Sequence, residues 1–184
     1  NAISNFSNVL PDIQSDLANQ ILKDPYNFDF LTMTNDYNEK ELEKALTDNI
    51  TNFLLELGKG FAYVGKQIQL EVGGKMFFTD LLFYHLELRC FVVIELKNRD
   101  FDPSFLGQLN FYVSAVNHIM KKETDSPTIG LLICKTKNNV VAQYALETTK
   151  LPIGISEYEL NRLMPENFKS SLPTIEEIEN QFKD

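Results

Sequence analysis

The run Cys90-Phe91-Val92-Val93-Ile94-Glu95-Leu96-Lys97 constrains this chain more than any other stretch. Phe91, Val92, Val93 and Ile94 place apolar groups on both sides of a strand, because successive side chains point to opposite faces. A strand that is apolar on both faces belongs in the middle of a sheet covered on both sides. Glu95 and Lys97 are two residues apart, so they share one face near the strand's end. Burying an unpaired charge is costly, so both need partners or a function there.

The stretches around this strand complete a core. Leu42, Leu46, Ile50, Phe53, Leu54 and Leu57 recur at three- and four-residue steps and predict an amphipathic helix from Asn38 to Leu57, ended by Gly58 and Gly60. Phe61 to Val72 alternates as a strand, Gly73-Gly74 is a hairpin signal, and Lys75 to Tyr84 is the return strand. After the strand ending at Lys97, Asp102-Pro103 reads as the start of a helix running to about Lys122. Thr128 to Cys134 is a further strand, Val140 to Glu147 a helix and Leu151 to Ile155 a short strand. The core order is α-β-β-β-α-β, an α/β fold with a mixed sheet flanked by helices. Ahead of it, Val9, Ile13, Leu17 and Ile21 predict a helix over about Asn8 to Lys23, broken by Asp24-Pro25. Residues 1–37 are expected to form an N-terminal helical arm, 38–165 the main domain and 166–184 an acidic helical tail.

Asp80 is an acid inside the apolar run Phe77, Phe78, Leu81, Leu82. Antiparallel pairing around residues 85 to 89 puts it opposite residue 94 or 95, beside Glu95. Adjacent carboxylates repel unless a cation or proton lies between them. Oxygen ligands suit Mg²⁺, which is usually held by one or two carboxylates plus waters and substrate phosphate oxygens. Lys97 beside such an ion orients or activates an attacking water, or offsets charge on a phosphate. The plainer alternative is a surface salt bridge among Asp80, Glu95 and Lys97, worth little.

Two helices add to this set. Gln108 and Tyr112 are four apart and share one helix face. Glu43 lies on the stripe of Leu46, Ile50 and Leu57, at a buried edge, whereas Glu39 and Glu41 fit a solvated first turn favoured by the helix dipole. Cys90 and Cys134, each in an apolar run with no CxxC pairing, read as buried free thiols. His85 and His118 have no ligand-spaced partner and read as structural or surface residues. The 14 Phe residues and absence of Trp predict a Phe-filled core.

The chain resembles the PD-(D/E)XK nuclease superfamily and, more narrowly, the YhcG-type family of bacterial proteins. The resemblance is carried by Lys23-Asp24-Pro25-Tyr26 with Phe30-Leu31, Leu42-Glu43-Lys44-Ala45-Leu46, and Phe53 through Phe61. It continues through Asp80-Leu81-Leu82-Phe83-Tyr84-His85, Ile94-Glu95-Leu96-Lys97 and Gly130-Leu131-Leu132-Ile133-Cys134. It implies a restriction-endonuclease-like αβββαβ core and hydrolysis of nucleic-acid phosphodiester bonds, as a DNA endonuclease. Asp80 and Glu95 would be metal ligands for Mg²⁺, with Mn²⁺ as a substitute, and Lys97 would stand at the nucleophilic water. Glu43 would be the helix glutamate near the metal, and Gln108 and Tyr112 would contact substrate at the rim.

The resemblance also implies an additional N-terminal domain of the same protein, which agrees with a chain that starts at Asn and reads as a fragment. A homodimer is a further partner to consider. No apolar run reaches the roughly 18 to 20 residues of a membrane span and no signal peptide is visible, so a cytoplasmic protein is expected. The net charge of −9 and pI near 4.8 count against a broad basic surface. That keeps two alternatives open: a catalytically silent nuclease-fold module for interaction or oligomerisation, and an RNA-directed nuclease.

Overall fold

A computed structural model describes residues 1–165 and 173–183. The chain starts with β1 (Ile3–Ser4), α1 (Phe6–Val9) and α2 (Asp12–Ile21). The helix expected over Asn8 to Lys23 is therefore divided. Leu10 precedes Pro11 and is extended, with ψ of 152°, because the proline ring disfavours helix in the residue before it. β2 (Tyr26–Asn27) and β3 (Met33–Thr34) follow. The next expected helix is also two, α3 (Glu39–Asp48) and α4 (Ile50–Leu57). They meet at Asn49, whose φ and ψ of −113° and 41° leave the helical region and whose Nδ2 donates to the Ala45 carbonyl at 2.9 Å. Asn38 caps α3 by accepting from Glu41 N at 2.8 Å.

The strands follow the alternation of the sequence. β4 (Phe61–Val72) and β5 (Lys75–His85) form a hairpin. Gly73 and Gly74 make its turn with φ of 58° and 78°, values open to glycine at little cost. β5 pairs antiparallel with β6 (Cys90–Asp100) through five pairs, from His85–Cys90 to Leu81–Ile94. α5 (Phe105–Ile119) begins two residues later than expected. Asp102 Oδ1 accepts from Ser104 N at 2.9 Å, which spends Asp102 on a turn ahead of the helix. β7 (Ile129–Thr136), α6 (Asn139–Glu147), β8 (Ile153–Glu159) and β9 (Leu163–Met164) complete the body. Of the expected tail 166–184, residues 166–172 and 184 lie outside the described residues. The rest carries α7 (Ile175–Gln181), with a capping box between Thr174 and Glu177.

The main sheet runs β1-β8-β7-β6-β5-β4, with β2 also paired to β8. β6, β7 and β8 are parallel, so the sheet is mixed, with β6 joining its antiparallel and parallel halves. β3 and β9 form a separate parallel pair. Residues 1–37 contribute to both the sheet and its core: Ile3 pairs with Ile155, Tyr26 with Tyr158, and Phe6, Tyr26 and Phe28 are buried.

Both faces of β6 are covered. Val92, Ile94 and Leu96 pack with Leu42, Leu46, Phe53 and Leu57 of α3 and α4. Val93 packs on the other side with Leu109, Val113 and Val116 of α5. Phe28, Phe53 and Phe83 interlock edge to face at 5.7 and 5.6 Å between ring centroids, and Phe does fill much of the first layer. Cys90 and Cys134 are buried free thiols, both pushed up to about 12 by burial. His85 is fully buried. Its Nδ1 accepts from Leu88 N, and its ring lies 2.7 Å from where a side chain on Gly60 would begin, a structural role.

Candidate active site at the end of the central strand

Strand alternation places Glu95 and Lys97 on the face of Val93, toward α5. Glu95 is fully buried, and neither of its carboxylate oxygens has a hydrogen-bond partner among the described residues. Buried polar groups are nearly always satisfied, and Glu95 is the one acid among the described residues with unpartnered buried atoms, which Thr79, Asn110 and Thr128 also have. Asp80 stands across from it, one step beyond the last paired position Leu81–Ile94, in agreement with the pairing expected from the sequence. Burial and then the Asp80 charge push the Glu95 carboxyl up to about 8, against the pull of Lys97. Asp80 is half-buried. Its pKa is raised by burial, with Lys97 and Gln67 opposing.

Asp80 sits where the hairpin turns over. Phe77 and Leu81 are four apart and would share a face of a regular strand. Yet Phe77 packs in the α5 layer and Leu81 in the α3–α4 layer. The reversal falls at Asp80 and at Gln67 of β4, whose φ is 49°, a left-handed conformation uncommon outside glycine. β5 leaves β6 at the same point. The acid is thereby left at a break in the ladder and not within it.

Gln67 was not visible in the sequence, because nothing in an alternating strand marks a left-handed residue. Its Nε2 donates to both oxygens of Glu43, each at 3.2 Å. Glu43 is 8% exposed, and its pKa is raised by burial, with Gln67 opposing and Asp80 adding to the rise. Gln67 thus bears on the carboxyls of Glu43 and Asp80 together.

Glu39 contributes more than a solvated first turn. Its Oε2 lies 3.6 Å from Lys97 Nζ. The start of α3 is tied to β6 by Asn98 Nδ2, which donates to the Tyr37 carbonyl at 2.9 Å. Lys97 is only 13% exposed in its side chain, and its ammonium lies 5.0 Å from the centroid of the Phe105 ring on α5. Gln108 Nε2 donates to Tyr112 OH at 3.1 Å. These two follow Phe105 along one face of α5, at spacings of three and four residues. Tyr112 is buried and Gln108 exposed. Glu41 is exposed and apart from this group. His118 is exposed, with Nδ1 at 2.8 Å from the Ser114 carbonyl.

Among the described residues no three His, Cys, Asp or Glu side chains are grouped to hold a metal ion. Glu43 is occupied by Gln67 and does not close such a group with Asp80 and Glu95. A two-carboxylate site remains. Mg²⁺ is usually bound by one or two carboxylates, with waters and substrate oxygens filling the other positions. The orphaned oxygens of Glu95, beside Asp80, fit that mode.

The model of the YhcG PDDEXK nuclease domain family matches residues 19–173. The chain is 36% identical over 144 residues to a protein of Escherichia coli (strain K12) named "Putative nuclease YhcG", covering 78% of this chain and 38% of that protein's length. The chain thus spans well under half of that curated relative. Among solved structures it is similar to a repair endonuclease from Pyrococcus abyssi, at 21% identity and a TM-score of 0.45, over 71% of this chain and 50% of that one. It is likewise similar to EndoMS in a complex with double-stranded DNA, at 21% identity and a TM-score of 0.45, over 73% and 46% of the two chains. No helix among the described residues is long and apolar enough to cross a membrane.

Proposed function

The chain belongs to the YhcG PDDEXK nuclease domain family, and from that premise we propose that it is a divalent-metal-dependent endonuclease acting on DNA. The observation that carries the reading is Glu95: a fully buried carboxyl with both oxygens unpartnered among the described residues, beside a second acid at a break in the sheet. Asp80 and Glu95 are the residues that would hold Mg²⁺, with Mn²⁺ as a substitute. The bound ion would supply Lewis acidity toward a phosphate oxygen and lower the pKa of water.

The chain's own groups do the rest. Lys97 is confined by Glu39 and by the Phe105 ring, so its ammonium is placed in advance to orient the attacking water and offset charge on the phosphate. Gln67 holds Glu43 in place next to Asp80. This makes Glu43 a support for the acid pair. Gln108 and Tyr112, further along α5, are the proposed contacts with substrate at the rim.

A cleavage assay on plasmid, single-stranded DNA and RNA with Mg²⁺ or Mn²⁺ tests this. Wild type is expected to nick plasmid DNA, and Asp80→Ala and Lys97→Ala to lose that activity. Equal residual activity in all three would refute the site. A preference for RNA would change the substrate and keep the site. The net charge of −9 favours one rival, a silent module for protein interaction, and absence of cleavage on every substrate would count for it against the nuclease reading.

A further inference from the structure

A polyanion approaching a chain of net charge −9 is repelled except where cations are concentrated and free, since phosphate contacts supply most of the sequence-independent affinity for nucleic acid. Among the described residues four lysines are committed to ion pairs, and two of them, Lys97 and Lys137, have nearly buried side chains. Lys23 pairs with Glu56, Lys44 with Asp48, Lys97 with Glu39, and Lys137 with Asp24. Arg99 forms no ion pair among the described residues, and it is exposed.

One contact nevertheless orients it. The Arg99 guanidinium lies 4.7 Å from the centroid of the Phe105 ring, the same ring that Lys97 approaches at 5.0 Å. Glu95, Lys97 and Arg99 therefore form a row along β6, with the two cations gathered on one aromatic platform that is itself buried. Asp102 senses the Arg99 charge, but its Oδ1 is taken by Ser104 N. A guanidinium stacked on a ring keeps its planar fork of donors pointing outward, and that fork matches a phosphate bidentately. Stacking also limits the side-chain entropy lost on binding.

We infer that Arg99, held on Phe105 beside Lys97, is a substrate-binding residue that grips a backbone phosphate next to the bond presented to Asp80 and Glu95. The inference rests on the nuclease reading above and adds to it the residue that anchors the polyanion. Arg99 acts on binding and register, whereas Lys97 acts at the reacting phosphate. The contact is to phosphate, so it carries no base preference.

The test is the salt dependence of binding, measured by anisotropy of a fluorescein-labelled mixed-sequence duplex between about 50 and 200 mM salt, with Ca²⁺ present. One phosphate contact contributes about −0.9 to the slope of log affinity against log salt. Arg99→Ala is expected to weaken binding about tenfold or more, to reduce that slope by about one, and to leave the melting temperature unchanged. Arg99→Lys is expected to keep the slope and recover only part of the affinity. A role in folding alone would shift the melting temperature and leave the slope untouched. If Arg99→Ala keeps wild-type affinity and slope while Lys97-dependent cleavage persists, this inference falls and the nuclease reading stands. If wild type neither binds nor cleaves the duplex, both fall.

Discussion

Asp24 and Glu95 are two acids set against the same sheet, and they differ in what surrounds their oxygens. Asp24 Oδ1 accepts from the Glu157 N–H at 2.8 Å, and Oδ2 lies 2.7 Å from Lys137 Nζ. Burial acts to raise its pKa, yet Lys137, the Glu157 N–H and the Asn1 ammonium together outweigh burial and hold it below the usual value. Glu95 has no donor among the described residues and is pushed up to about 8. Each acid has a lysine nearby, but only Lys137 is spent on its acid. Lys97 faces Glu39 and Phe105 instead. A buried acid with a full set of donors contributes to architecture, since breaking such a pair strands a charge. One left without donors costs stability and makes sense when something outside the chain completes it.

The lysines give the sharpest cross-test. Lys97→Ala is expected to lower cleavage by about 10²- to 10³-fold, the usual loss when a preorganised charge-stabilising donor is removed, and to alter thermal stability little. Lys137→Ala is expected to do the reverse. Similar effects of both substitutions on activity, measured as initial rates of plasmid nicking, would erase the distinction.

Asp24→Ala comes next, with an expected cost of about 3 kcal/mol in urea unfolding, because it leaves the Lys137 ammonium, whose other acceptors are the Asn1 carbonyl and Asn139 Oδ1, without a countercharge. The pH dependence has a definite sign. The folded-state pKa of Asp24 is lowered from 3.8, so its contribution is fully present above that value and is lost as pH falls through the folded value. Asp24→Asn is expected to flatten the acid limb of the stability curve, and an unchanged limb would assign acid unfolding to other groups.

Saturating Mg²⁺ or Mn²⁺, at about 100 times the dissociation constant, is expected to stabilise wild type by about 2.7 kcal/mol. The Asp24→Asn protein should show the same gain and Glu95→Ala none, read as shifts in melting temperature. The smallest effect concerns Glu95→Gln without metal, which is expected to change stability by less than about 1 kcal/mol, or to raise it, because no existing hydrogen bond is lost. A large loss would mean that Glu95 has structural partners after all.

The sequence made one half of the site more readable than the other. Glu95 and Lys97 stood out because period-two alternation in an apolar strand admits no ambiguity about their shared face. Asp80 was reachable because a short turn fixes the register of a hairpin. Helix periodicity singled out Glu43 over Glu39 by burial, and Glu43 is indeed the more buried. It could not show that Glu39 would reach Lys97, since that contact depends on how the start of α3 is tied to β6 through Asn98. Gln67 was missed because its role follows from a left-handed backbone that composition does not encode outside glycine. The two-residue strands β1, β2, β3 and β9 were missed as well, because two residues have no period. The order of the larger elements was legible, and their ends shifted where local groups competed, at Pro11, Asn49 and Asp102.

The turnover at Gln67 and Asp80 also bears on how sequences of this kind can drift in length. Among the described residues β4 and β5 pair beyond that point only with each other, so the hairpin tip adds nothing to the five pairs that align Asp80 with Glu95. Insertions around Gly73-Gly74 lengthen an overhang and move no acid. A single-residue deletion in Leu86–Arg89 slides β5 along β6 and turns its side chains to the wrong face. The tip is therefore the place where added residues are expected to disturb the acids least, and the four-residue connection is the gauge that sets their alignment.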